Sequence, residues 1–174
     1  GVEMVAVGYE ALLSSTQTGQ TAVGYKAGRL SVGDDNTLIG AFAGDALTDG
    51  DFNTAVGWGA LSAEDAHSSN TAIGYKTLFV QNAGANAYNT AVGYTAGMGI
   101  SSGIYNTLVG GDAGRLLTDA DYNTAVGTFA LDKDELGSKS TALGYAALST
   151  QDFTTATDSH NTAVGYHAGV ALTT

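Results

Sequence analysis

Short stretches in which apolar and polar residues alternate recur along the whole of this 174-residue chain. The clearest reads "NTAVGY", at 89–94 and again at 161–166, with relatives such as "NTAIGY" at 70–75. Aligned on the Gly of the motif there are ten copies: Gly8, Gly24, Gly40, Gly57, Gly74, Gly93, Gly110, Gly127, Gly144 and Gly165. They stand 16, 16, 17, 17, 19, 17, 17, 17 and 21 residues apart. A short fixed period of this kind marks a solenoid, in which each unit stacks only on its neighbours.

Helix is a poor reading of the unit. Thr and Val favour strands, and a Gly in every copy would cost a helix about 1 kcal/mol relative to Ala. The pattern predicts an all-β fold: a parallel β-solenoid (β-roll) of about ten coils of 16–21 residues. Residues 1–174 form a single repeat domain in this reading. At a strand spacing of about 4.8 Å, the rod is roughly 45–50 Å long. The chain opens in mid-repeat at "VEMVAVGYEAL", which reads as a piece of a longer fibrous protein.

Stacking turns repeats into columns. Asn stands at 36, 53, 70, 89, 106, 123 and 161, where side-chain amides can ladder along the axis. Thr follows in nine of the ten coils. An aromatic follows the Gly at Tyr9, Tyr25, Trp58, Tyr75, Tyr94, Tyr145 and Tyr166. Ala41, Gly111 and Thr128 interrupt that column, and Phe42 and Phe129 restore a ring one residue later. The swap suggests that the aromatic fills a volume rather than grips a ligand.

Period-2 geometry sets Thr, Val and Tyr on one strand face and Asn, Ala and Gly on the other. Both faces therefore carry apolar groups, whereas a strand with one wet face alternates apolar with polar. One face lines the coil's own interior, and Val92 is read as one of its packing residues. The second face then needs a cover, most simply identical rods, with a homotrimer favoured. A longer period lies on top: 36–78 matches 106–148 at an offset of 70 without a gap. The residue closing each motif alternates two Gly with two Leu, consistent with duplication of a four-coil block.

Composition narrows the partners. The net charge is −11, from 17 acidic and 6 basic residues, which disfavours nucleic acid and anionic membrane surfaces. No apolar run approaches the roughly 20 residues that span a bilayer, so no membrane insertion is expected. Cys is absent, which removes disulfides and thiolate metal sites.

The units "NTAIGYKTL" at 70–78, "NTAVGYTAG" at 89–97 and "NTAVGYHAG" at 161–169 resemble the repeats of bacteriophage tail-fibre proteins. They are also similar to the head repeats of trimeric autotransporter adhesins. The resemblance runs from Met4 to Gly169. It implies a left-handed parallel β-roll, three chains side by side, and a role in reaching or gripping a host cell surface, either a glycan or a protein. The location it implies is the tail fibre of a virion, or alternatively a bacterial cell surface as an adhesin head.

Candidate chemistry is sparse. Carboxylates pair at Asp34/Asp35, Asp49/Asp51, Glu64/Asp65 and Asp119/Asp121, and cluster at Asp132, Asp134 and Glu135. Glycosidases use paired carboxylates, but these pairs recur with the repeat, as solvated loops do. None matches a calcium loop. His67, His160 and His167 lack ligand spacing, though a trimer would present each three times around its axis. "GGDAG" at 110–114 sits in the repeat register rather than forming a phosphate loop. No catalytic, cofactor or metal residue is assigned, and the chain reads as a non-enzyme without cofactors. Loop aromatics Phe52, Tyr88, Tyr105, Tyr122 and Phe153 can stack on sugar rings; the alternative is that those preceding Asn cap the coil. The Thr column resembles the arrays of ice-binding solenoids, but Tyr shares its face and spoils a flat plane. Ice or glycan binding is therefore a further alternative to the shaft or attachment role.

Overall fold

The computed structural model describes residues 3–63, 66, 68–84 and 86–172. Its strands are β1 (Val5–Val7), β2 (Thr21–Val23), β3 (Thr37–Ile39), β4 (Thr54–Val56), β5 (Thr71–Ile73), β6 (Thr90–Val92), β7 (Thr107–Val109), β8 (Thr124–Val126), β9 (Gly137–Ser138), β10 (Thr141–Leu143), β11 (Thr157–Asp158) and β12 (Thr162–Val164). Ten of them, each supplied by one copy of the motif, form a single parallel sheet ordered β1-β2-β3-β4-β5-β6-β7-β8-β10-β12. The register never slips: Thr54, Ala55 and Val56 lie beside Thr71, Ala72 and Ile73, and the other pairs follow suit. β9 and β11 pair separately where the longest inserted segment passes its neighbour. No helix occurs among the described residues, and the chain is an all-β parallel solenoid of about nine turns.

Each strand stops at the motif Gly for a steric reason. Gly93 has φ +144, and a Cβ there would lie 2.3 Å from the carbonyl oxygen of Gly110 in the next coil. Beyond it the backbone visits left-handed conformations at alternate residues, such as Thr95 (φ 51) and Gly97 (φ 59). This zigzag points successive amides along the rod axis. Thr95 N–H donates to Tyr75 O at 2.9 Å in the preceding coil, and Gly97 N–H to Ala113 O at 2.9 Å in the following one. The turns thus continue the ladder that the three-residue strands begin, so the buried backbone stays paired.

The interior is narrow and lined mostly by Ala. Ala55, Ala72, Ala91 and Ala125 from the strand centres meet Ala60, Ala96, Ala113 and Ala130 from the turns. A small cross-section accounts for the shortage of large apolar side chains in the sequence. Here the structure corrects the sequence reading of Val92. Ala91 is the strand residue that enters the interior, while Val92 is half-buried on the outer face.

The Gly/Leu alternation has a packing cause. Coils with Leu in the turn (Leu78, Leu131, Leu148) bury a polar side chain three residues on: Gln81, Asp134 and Gln151. Coils with Gly there (Gly44, Gly97, Gly114) bury Leu47, Ile100 and Leu117 instead. The two Gly coils centred on Leu38 and Leu108 gain a large strand residue as well. The methyl carbons of Leu108 fill the space beside Gly97 and Gly114, 2.8 Å from where a Cβ would stand at either position. Most coils therefore bury one or two large apolar side chains, drawn from different positions. The Gly28 coil buries Ser31 instead, and Leu12 and Leu38 of its neighbours reach in beside that glycine.

The Asn column runs side chain to backbone. Asn53 N–H donates to Asn36 Oδ1 at 2.8 Å, and the pattern repeats from Asn70 to Asn53, Asn89 to Asn70, Asn106 to Asn89 and Asn123 to Asn106. Asn36, Asn89, Asn106 and Asn123 donate in turn through Nδ2 to the carbonyls of Gly50, Gly103, Ala120 and Gly137. Gln20, which replaces Asn, still reaches the next coil's carbonyl at Gly33. Asn161 donates to Gln151 Oε1 at 2.7 Å.

Candidate recognition surface

Thr, Val and the aromatic point outward, so the outer strand face carries a central column of Val23, Ile39, Val56, Ile73, Val92, Val109, Val126 and Leu143. Ile73 remains 37% and Leu143 44% exposed. On one edge of this face the rings after the motif Gly stack along the rod. Tyr9 lies on Tyr25 (5.6 Å between centroids), Trp58 on Tyr75 (5.3 Å), Tyr75 on Tyr94 (5.2 Å) and Tyr145 on Tyr166 (5.2 Å). Phe42, displaced by one residue, bridges Tyr25 and Trp58 edge-on, and Phe129 meets Tyr145 in the same way. These rings fill no interior space. They form an external stack, and such pairs contribute roughly 0.5–1.5 kcal/mol each beyond their burial.

The opposite edge bears a second, shorter ladder. Tyr88, Tyr105 and Tyr122 stack with centroids 5.3 and 5.1 Å apart. Each is held outward by a left-handed backbone at the residue before Asn. Phe52 occupies the same column, exposed and without a ring neighbour among the described residues. Phe153 does not join them: it is half-buried, and its N–H donates to Asp134. The structure thus brings three of the five candidate aromatics together and leaves two apart.

The acidic residues are spread over successive rungs. Asp34 Oδ1 accepts Thr18 N–H at 2.9 Å, Asp51 Oδ1 accepts Asp34 N–H at 2.7 Å, and Asp121 Oδ1 accepts Ile104 N–H at 2.8 Å. Asp132 is paired with Arg115 at 2.9 Å. Asp134, buried, accepts the amides of Gly137 and Phe153 and the side chain of Gln151. Apart from Asp132, these carboxylates accept backbone amides, mostly of adjacent coils. Glu64, Asp65 and His67 lie outside the described residues. His160 is exposed near Asp158 O, and His167 stacks on Tyr145 and Tyr166. Among the described residues no three His or acidic side chains gather as a metal site, and no helix is long and apolar enough to cross a membrane.

Local electrostatics follow from these contacts. Hydrogen bonds from Ser102 and then Ser101 hold the Asp119 carboxyl below the usual carboxylate range. Burial pushes that of Asp45 up, against the pull of Arg29. A carboxyl depressed in the folded state adds stability above its unfolded pKa of about 3.9, and the gain is lost as pH falls through the folded value. Asp119→Asn is therefore expected to lower the urea midpoint at pH 6 and to match the parent at pH 2. An equal gap at both pH values would count against this role for Asp119.

Sequence reasoning missed the flank beside the first ladder, where Lys76, Asp112 and Arg115 gather. Lys76 Nζ lies 4.8 Å from the ring centroid of Phe79, and Arg115 Nε lies 3.5 Å from Asp112. The signal for it was the break in the aromatic column at Gly111. No family model matches the chain, and no curated protein and no solved structure matches it either.

Proposed function

We propose that this chain is a non-enzymatic structural segment of a viral tail fibre, a rigid shaft or host-attachment module in which three copies lie side by side. The observation that carries this reading is the outer strand face, apolar along its centre and bordered by aromatic ladders on both edges. The six steps from Tyr88 to Tyr94, with the three-residue strand β6 at their centre, span at most about 20 Å, and ten rungs span about 43 Å. The resulting face is at most about 850 Å² per copy, comparable with the roughly 800 Å² that one copy buries in a stable complex and here divided between two neighbours. Around a threefold axis, each copy sets one edge against the opposite edge of its neighbour, so both ladders acquire a role. The rung-bound carboxylates support a structural rather than catalytic assignment, since their oxygens already serve backbone amides. The place that follows is the exterior of the virion.

Val92→Asp tests the reading. Val92 points outward, so a charge there leaves the coil's Ala interior intact but is buried without a partner in the assembly, which is strongly destabilising. Sedimentation is expected to show the variant as folded single chains where the parent forms trimers at the same micromolar concentration. A variant that assembles like the parent would remove this face from the interface.

A further inference from the structure

We propose that the break in the first aromatic ladder is a binding site for the ring of one neutral pyranose. Tyr94 stacks on Tyr75, and Phe129 packs against Tyr145. Between them, in the coil of β7, the ladder position is Gly111 and the swapped position is Asp112. Among the described residues no ring occupies this level, so Tyr94 and Phe129 each keep one side free of ring contacts. What remains is a notch of about 460 Å³ lined by both rings and by Lys76, Thr95, Met98, Asp112 and Arg115. Its volume falls within the range of small-ligand sites.

The glycine is not demanded by the backbone. Gly111 has no left-handed φ, and a Cβ there would meet nothing closer than the Thr128 methyl at 3.8 Å, an ordinary contact. Comparing the duplicated blocks makes the same point. Ala41, Phe42, Asp45 and Trp58 of the first block correspond to Gly111, Asp112, Arg115 and Thr128 of the second. The first block keeps its core pattern and fills the stack with Phe42 between Tyr25 and Trp58. The second keeps the same core and leaves the slot empty, with a carboxylate and a guanidinium at its mouth.

The chemistry selects the occupant. Rings on consecutive coils stand 5.2–5.9 Å apart along this ladder. A ring inserted between Tyr94 and Phe129 therefore sits about 5 Å from each, within the 4.5–7 Å range of offset-stacked and edge-to-face pairs. Aromatic faces are electronegative, and they suit the electropositive C–H face of a sugar ring. Sugar hydroxyls find a donor in Arg115 and an acceptor in Asp112, which already accepts from Thr95 Oγ1 at 2.5 Å. The two cations at the notch, Lys76 and Arg115, are matched by the carboxylates of Asp112 and Asp132, so the site carries no net charge and suits a neutral ligand. Tyr94 and Phe129 stand on the ladder edge that the trimer sets beside a neighbour, while Lys76, Thr95, Met98, Asp112 and Arg115 come from the turns that follow, so the notch is reached from the flank. The inference gives the attachment reading a site and rests on it. Chain number in solution is measured separately, so the two can fail independently.

The test is saturation-transfer NMR on the assembled chain with methyl glycosides of glucose, galactose, mannose and N-acetylglucosamine, with adenosine as a planar aromatic control. Transfer is expected to the C–H protons of one ring face of at least one glycoside, with Kd of about 1–10 mM. Gly111→Tyr refills the ladder, so it should weaken binding at least tenfold while the melting temperature is kept or raised. Asp112→Asn should weaken binding several-fold without altering melting. The proposal is overturned by absence of transfer to any glycoside at tens of millimolar, by unchanged binding in Gly111→Tyr, or by adenosine binding where the glycosides do not.

Discussion

Replacing Gly114 with Ala is expected to destabilise the coil stack by about 2–5 kcal/mol, although it adds a single methyl group. The added Cβ would stand 2.8 Å from Leu108 Cδ2 and 2.8 Å from Leu117 Cδ1, in an interior with no slack. Overpacking of this kind costs about 1–3 kcal/mol. The left-handed backbone at Gly114 (φ +58) adds roughly 1–2 kcal/mol for any residue with a side chain. Leu108→Ala, the converse change, empties a fully buried site and is expected to cost about 2–5 kcal/mol. The informative experiment is the double variant. Removing Leu108 gives the new methyl room, so the double loss should fall short of the summed single losses by about 1 kcal/mol or more. Strictly additive urea-unfolding energies would mean that Leu108 and Gly114 do not share one volume, and the packing account of the Gly/Leu alternation would fall with that result.

Asn106→Ala is expected to cost about 2–6 kcal/mol, far more than loss of a polar side chain from a surface. Asn106 is fully buried, and its amide serves two backbone groups of the next coil. Oδ1 accepts from Asn123 N–H at 2.9 Å, and Nδ2 donates to Ala120 O at 2.8 Å. Truncation leaves both groups buried and unpaired, at about 1–3 kcal/mol each. The neighbouring Thr107 points outward and is exposed, so Thr107→Ala should stay within about 0.5 kcal/mol of the parent. The column itself indicates which substitutions are tolerated. Ser140 ends the run yet keeps its own N–H on Asn123 Oδ1 at 2.8 Å, and its hydroxyl meets Ser159 Oγ at 2.6 Å from the inserted segment. Chemical unfolding of the two Ala variants side by side checks the claim. A loss below 1 kcal/mol for Asn106→Ala would show that the ladder is dispensable.

The period and the β-branched motif made the solenoid legible, because both follow from local chemistry repeated at a fixed interval. Which face enters the interior was harder to read. Ala and Val alternate sides, and hydrophobicity alone favours Val. The choice falls on Ala because the turn residues already fill the narrow interior. A larger strand residue enters only beside turn glycines, as Leu38 does at Gly28 and Gly44 and Leu108 at Gly97 and Gly114. The four-coil period was visible as Leu and Gly at one position. Its cause was not, because the compensating residues, Leu108 and Leu117, lie six residues before and three after Gly114 and meet it only across the folded coil. Among the candidate aromatics, Tyr88, Tyr105 and Tyr122 share a column that the alignment already held. Phe153 leaves it because the longest insertion shifts its segment against Asp134. The flank notch was not legible because its residues come from four coils and follow no motif. Only the missing ring at Gly111 pointed there.

The account rests most heavily on the claim that the outward Val column and its aromatic borders are covered by copies of the same chain. Analytical ultracentrifugation of the segment at micromolar concentration measures this directly. The account predicts an elongated particle of three times the 17.5 kDa of one chain. A stable monomer, with the strand face open to water, would contradict it.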